Sequence, residues 1–114
     1  MVNRHRGETA LMVAGESLPM RLTLGALAEL EEAFAVESLP ELGERFISGR
    51  LSARDIIRII AAGLRGAGQA IHDDDVAGLS FDGGLGGVIA SAIALLEATF
   101  GDGEPARPPQ PPEA

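Results

Sequence analysis

Residues 20 to 34 read MRLTLGALAELEEAF. Met20, Leu22 and Leu24 alternate, which is the spacing of a strand with one buried face. Leu24, Leu27, Leu30 and Phe34 then recur at steps of three and four, which is the spacing of a helix. No Gly, Pro or polar run separates the two patterns. A strand that passes into a helix without slack holds it at a fixed angle, so both apolar faces must close on one core. Leu24 is expected to end the strand's inward row and begin the helix's inward stripe, with Thr23 as N-cap. Glu31 falls near that stripe and is expected as a carboxylate at its rim.

The residues before the junction supply a partner strand. Glu8 to Ala14 read ETALMVA, Gly15-Glu16-Ser17 offers turn residues, and LPMRLTL alternates. The two runs predict a β-hairpin. Pro19 cannot donate to the ladder, so its backbone nitrogen should face away from the partner strand. A lone hairpin is marginal in water, and the first helix is what it would lie on.

Helices account for most of the rest. Ser38-Leu39-Pro40-Glu41 has capping-box spacing with Pro in the first turn. It opens a short helix to about Ser48, burying Leu42, Phe46 and Leu39, with Gly49 as its stop. Ser52-Ala53-Arg54-Asp55 is a second such box and opens ARDIIRIIAAGLRGAG. There Ile56, Ile57, Ile59, Ile60 and Leu64 cover one face, and Arg54, Arg58 and Arg65 lie on the other. His72 with Asp73, Asp74 and Asp75 reads as the cap of a short turn through Val76 and Leu79. The last helix is expected to bury Leu85, Ile89, Ile93, Leu96 and Phe100. The fold class expected is therefore α+β and mostly helical, an N-terminal hairpin running directly into four to five helices. Residues 1–101 form one domain in this reading. Residues 102–114, with five of the seven prolines, read as a disordered tail.

The chemistry on offer is sparse. Asp73-x-Asp75 with Gly78 resembles the start of a calcium loop, but Ala77 and Gly84 stand where its fifth and twelfth ligands belong. Gly83-Gly84-Leu85-Gly86-Gly87 lacks the preceding strand and the Lys-Ser/Thr ending of a P-loop. His5 and His72 are the only imidazoles, and Cys, Lys and Tyr are absent. No nucleophile–base pair can be drawn, so no catalytic, metal or cofactor site is expected, and the chain is expected not to be an enzyme. Seventeen acids against nine bases, a net charge of −8, argue against direct nucleic-acid binding and against an anionic membrane surface. No run reaches the roughly 20 apolar residues of a membrane span, and the start lacks a signal peptide's apolar run. Every base is Arg, and Ala, Gly and Pro are frequent, which suggests a GC-rich bacterial or phage genome. A cytoplasmic protein of a bacterial host cell is expected.

What remains is surface. Between Leu85 and Phe100 the only charge is Glu97. The face opposite the expected stripe carries Ala90, Ser91, Ala94 and Ala98, where a small monomer usually shows charge to water. Cover by another chain, including a second copy of this one, is one reading; plain helix propensity is the other. The stripe Arg54, Arg58 and Arg65 suits carboxylates, either a partner's or this chain's own.

NRHRGE near the start, LTLGALAELEEAF, SGRLSARDIIRIIAAGLRGAG and the closing ALLEATFG resemble small proteins of the gene transfer agent and phage tail cluster. That family is described as a tail assembly chaperone and also labelled a tail tube protein. The resemblance runs from Asn3 to Gly101 and rests on caps and junctions, so no active site carries over. It implies a chaperone that coats the helical tape measure protein and gives way as tail tube subunits polymerise. The alternatives are a structural tail component kept in the particle, or an interaction module unrelated to phage. A tube subunit usually needs a sizeable sheet, and one hairpin is all this chain offers.

Overall fold

A computed structural model describes residues 8–48 and 51–101. His5, the Gly49 stop and the tail 102–114 lie outside the described residues. Two antiparallel strands, β1 (Glu8–Val13) and β2 (Glu16–Arg21), lead into α1 (Leu24–Ala33), α2 (Leu39–Ile47), α3 (Ala53–Gly66), α4 (Asp73–Ala77) and α5 (Gly84–Leu96). A π-helical turn, Glu97–Gly101, continues α5. The expected class, a hairpin running into helices, is what forms.

The hairpin turn is tighter than Gly15-Glu16-Ser17 suggested. Val13 pairs with Glu16, leaving only Ala14 and Gly15 between the strands, both at positive φ (53° and 81°). Such a two-residue turn matches strand twist and favours Gly at its second position. Counting from Val13–Glu16, the hydrogen-bonded pairs are Leu11–Leu18 and Thr9–Met20. Pro19 opposite Ala10 therefore sits in a non-bonded pair, its nitrogen turned outward as expected. Leu11 and Met20 are buried and Leu18 half-buried, so the row facing the helices is the expected one.

The junction is short, with Leu22 and Thr23 between β2 and α1. Thr23 Oγ1 accepts from the Ala26 N–H at 3.1 Å, as its N-cap role requires. Leu24 departs from expectation: it is 76% exposed. The buried side of α1 is Ala26, Leu27 and Leu30. At 100° per residue Leu24 lies about 110° from the middle of that side. The strand's inward row ends at Leu22, and the helix takes over at Ala26.

Ser38 caps α2 through its Oγ, but Glu41 reaches past the cap to the Glu37 N–H at 2.7 Å, and Leu39 stays 39% exposed. Leu42 and Phe46 are buried as expected. Ser52 and Asp55 make the complete box at α3: Ser52 Oγ accepts from the Asp55 N–H, and Asp55 Oδ2 from the Ser52 N–H. Ile59, Ile60 and Leu64 are fully buried against the sheet and α5.

The largest correction concerns α5. Leu85, Ile89 and Ile93 are 73%, 37% and 46% exposed, and the helix buries Val88, Ala92 and Leu95 instead; of the expected stripe, Leu96 is buried. Phe100 is half-buried. Both sets have helical spacing, so periodicity alone could not choose between them. Close packing did. A Cβ added at Gly63 would stand 2.5 Å from Leu95 Cδ2 and 3.2 Å from Met20 Cβ. Gly63 is a notch in α3 that admits Leu95, and small Ala92 lets α5 lie close to its neighbours. The segment before α5 is also tied to the hairpin. Phe81 bridges Val13, the Asp82 N–H donates to Met12 O at 3.0 Å, and the Gly15 N–H donates to Asp82 Oδ2 at 2.9 Å.

Candidate interaction groove

With Val88, Ala92 and Leu95 turned inward, the branched side chains of α5 face a trough. One cleft, of about 540 Å³, lies between α2 and α5 and is walled by Phe46, Ile47, Leu51, Ile93 and Phe100. A second, of about 690 Å³, lies between α3, α4 and α5, with Ile57, Val76, Leu79, Leu85 and Val88 in its walls. Leu51, Ile56 and Ile89 line both, so the two clefts adjoin and together make one apolar groove along α5. Among the described residues its only charged lining residue is Glu97, at one end. Ile47, 84% exposed, stands on its α2 edge.

The α2 wall is held by aromatic contacts and a half-buried ion pair. Phe46 meets Phe34 edge-on at 5.4 Å between ring centroids, and Phe100 at 5.9 Å. The Arg45 guanidinium lies 5.3 Å from the Phe34 ring centre, a cation–π distance, and Arg45 donates to Asp55 Oδ2 at 3.1 Å. Burial pushes the Asp55 carboxyl upward, but the Ser52 backbone N–H and the charge of Arg45 outweigh it and hold the pKa below the usual aspartate range.

The sequence-predicted surfaces fare unevenly. Ala90 is exposed, while Ser91, Ala94 and Ala98 are half-buried, and Ser91 Oγ donates to Gly87 O at 3.0 Å. Of these four only Ala90 is exposed alongside Leu85, Ile89 and Ile93. The three arginines share a side of α3 but not a role. Arg65 pairs with Glu29 at 2.7 Å and Asp73 at 3.2 Å, and donates to Ile71 O at 3.0 Å, joining α1, α3 and α4. Burial alone would lower its pKa, but the hydrogen bonds and charges of Glu29 and Asp73 raise it further. Arg58 donates to Ala33 O at 3.3 Å, and Arg54 is exposed.

Sequence reasoning missed the groove. One available signal was surplus: α5 is apolar nearly all round, and a helix on the edge of a small domain can bury only one side. Ile47, about 100° from its buried neighbour Phe46, was another. Chemically the groove can bury apolar side chains and little else. Among the described residues no cluster of His, Asp or Glu could hold a metal ion, and no helix is long and apolar enough to cross a membrane.

A family model described as "Phage tail tube protein, GTA-gp10" matches residues 6–102. The chain belongs to this family of gene transfer agent and phage tail proteins. No curated protein and no solved structure matches it.

Proposed function

We propose that this tail-family protein is an assembly chaperone, and that the α2–α3–α5 groove holds an apolar helical segment of the tape measure protein until tube subunits replace it. The observation that carries this is the groove itself, two adjoining apolar clefts open along α5. An amphipathic helix laid in such a groove buries its apolar side chains against Ile56, Ile89 and Ile93. The remaining surface, rich in acids, keeps the complex soluble in the host cytoplasm. The protein acts by binding and release, without catalysis. The hairpin favours this over a tube role, because β1 and β2 form the only sheet among the described residues.

Co-expression with the tape measure protein, followed by pull-down and mass spectrometry of finished particles, tests the proposal. The two proteins should co-purify, and mature particles should lack this chain. Ile47→Asp should abolish co-purification without unfolding the domain, since that side chain stands in solvent. Failure to co-purify, or ring-like amounts of this chain in mature particles, would make it a structural component instead.

A further inference from the structure

The outer face of α5 matches itself when turned end for end. Leu85, Gly86, Ile89, Ala90 and Ile93 are all exposed along it. Its one charge, Glu97, follows the C-terminal end. The opposite end begins at Gly83 with no side-chain cap and no acid in the first turn. A helix N-terminus carries a partial positive charge that favours a carboxylate. In an antiparallel pair centred near Ser91, Ile89 of one copy meets Ile93 of the other. Glu97 then falls level with position 85 of the other copy, within that uncapped first turn. A parallel pair would instead bring two Glu97 carboxylates together at one end. The small Gly86 and Ala90 let the two backbones approach.

We propose that the protein forms a two-fold homodimer through α5, antiparallel on α5 of a second copy. The net charge of −8 per chain does not forbid it. Asp82, the acid nearest the start of α5, accepts from the Gly15 N–H at 2.9 Å and is turned to the hairpin. Charges on other faces are screened beyond roughly 8 Å at physiological salt. The dimer needs no tape measure protein, so it stands or falls independently of the chaperone reading. If both hold, the second copy covers Ile89 and Ile93 and must leave before a client helix enters.

The test uses the full chain alone. Light scattering across a dilution series should show twice the 11.8 kDa chain mass at high concentration. Ile93→Asp should raise the dimer dissociation constant at least ~10-fold, with an unchanged circular dichroism spectrum. The chain has no Cys, so single cysteines report the geometry. In the antiparallel pair the two copies of position 90 are offset by about 3 Å along the axis, and those of position 86 by about 15 Å. A disulfide needs Cα atoms within about 7 Å. Ala90→Cys should therefore cross-link on mild oxidation, and Gly86→Cys should not. A monomer at every concentration overturns the proposal and leaves the face to a different partner. Cross-linking at both positions, or a dimer indifferent to Ile93→Asp, overturns it as well.

Discussion

Helices α3 and α5 lie side by side in the core, yet only α3 shows from its sequence which way it faces. On α3, Ile59, Ile60 and Leu64 are buried, and Arg54, Arg58 and Arg65 occupy the other side. A guanidinium cannot be placed in an apolar core without a partner, so the arginines leave the helix one orientation. On α5, Gly84–Leu96 carries no charge at all. Leaving a Leu or Ile exposed costs far less than burying a charge, and native surfaces tolerate it. With no polar face to exclude alternatives, two stripes of α5 were equally eligible. Polar residues, more than apolar ones, make a helix's orientation readable.

The largest effect should separate the two stripes of α5. Leu95→Ala should cost about 2–5 kcal/mol in urea denaturation, the range for fully buried leucines. Ile93→Ala, one of the stripe left in solvent, should cost well under half as much. Equal losses would mean that both stripes are packed.

Next in size is the notch. Gly63→Ala should cost about 1–3 kcal/mol, because its Cβ would crowd Leu95 and Met20. Combined with Leu95→Ala, part of that loss should disappear, giving a favourable coupling in a double-mutant cycle. Strict additivity would show that Leu95 does not seat against Gly63.

The capping box of α3 has no counterpart on α5. Asp55→Asn should cost about 1 kcal/mol at pH 7, having lost the charged partner of Arg45 and Ser52. Because the folded Asp55 has a lowered pKa, its stabilisation is present at neutral pH and down to the ordinary aspartate range. It should then fade as pH falls further, through the folded value. Melting of parent and variant should converge in acid; a gap that widens there would contradict the assignment. Smallest of all, Leu24→Ser should shift stability by no more than about 0.5 kcal/mol, although the strand and helix patterns both include it.

The hairpin, the caps at Thr23, Ser38 and Ser52, and the inward faces of β2 and α3 follow from the sequence alone. Each is a local matter, decided by residues within a few positions: a hydroxyl three residues before an N–H, alternation along a strand, a charge opposite an isoleucine. The short junction at Leu22-Thr23 was legible for the same reason, though the handover residue was not. Tertiary structure decided the rest. Leu24 was excluded because α1 packs on α3 and α2 through its Ala26–Leu27–Leu30 side, and Leu95 was drawn inward by a notch at Gly63, thirty-two residues earlier. Arg65 was committed to Glu29 and Asp73 by helices that meet only once folded. The groove arose because α5 has more apolar surface than its neighbours can cover. Which part of that surface stays open depends on which side chain fits the available space, and shape complementarity between distant segments leaves no periodic trace in a sequence.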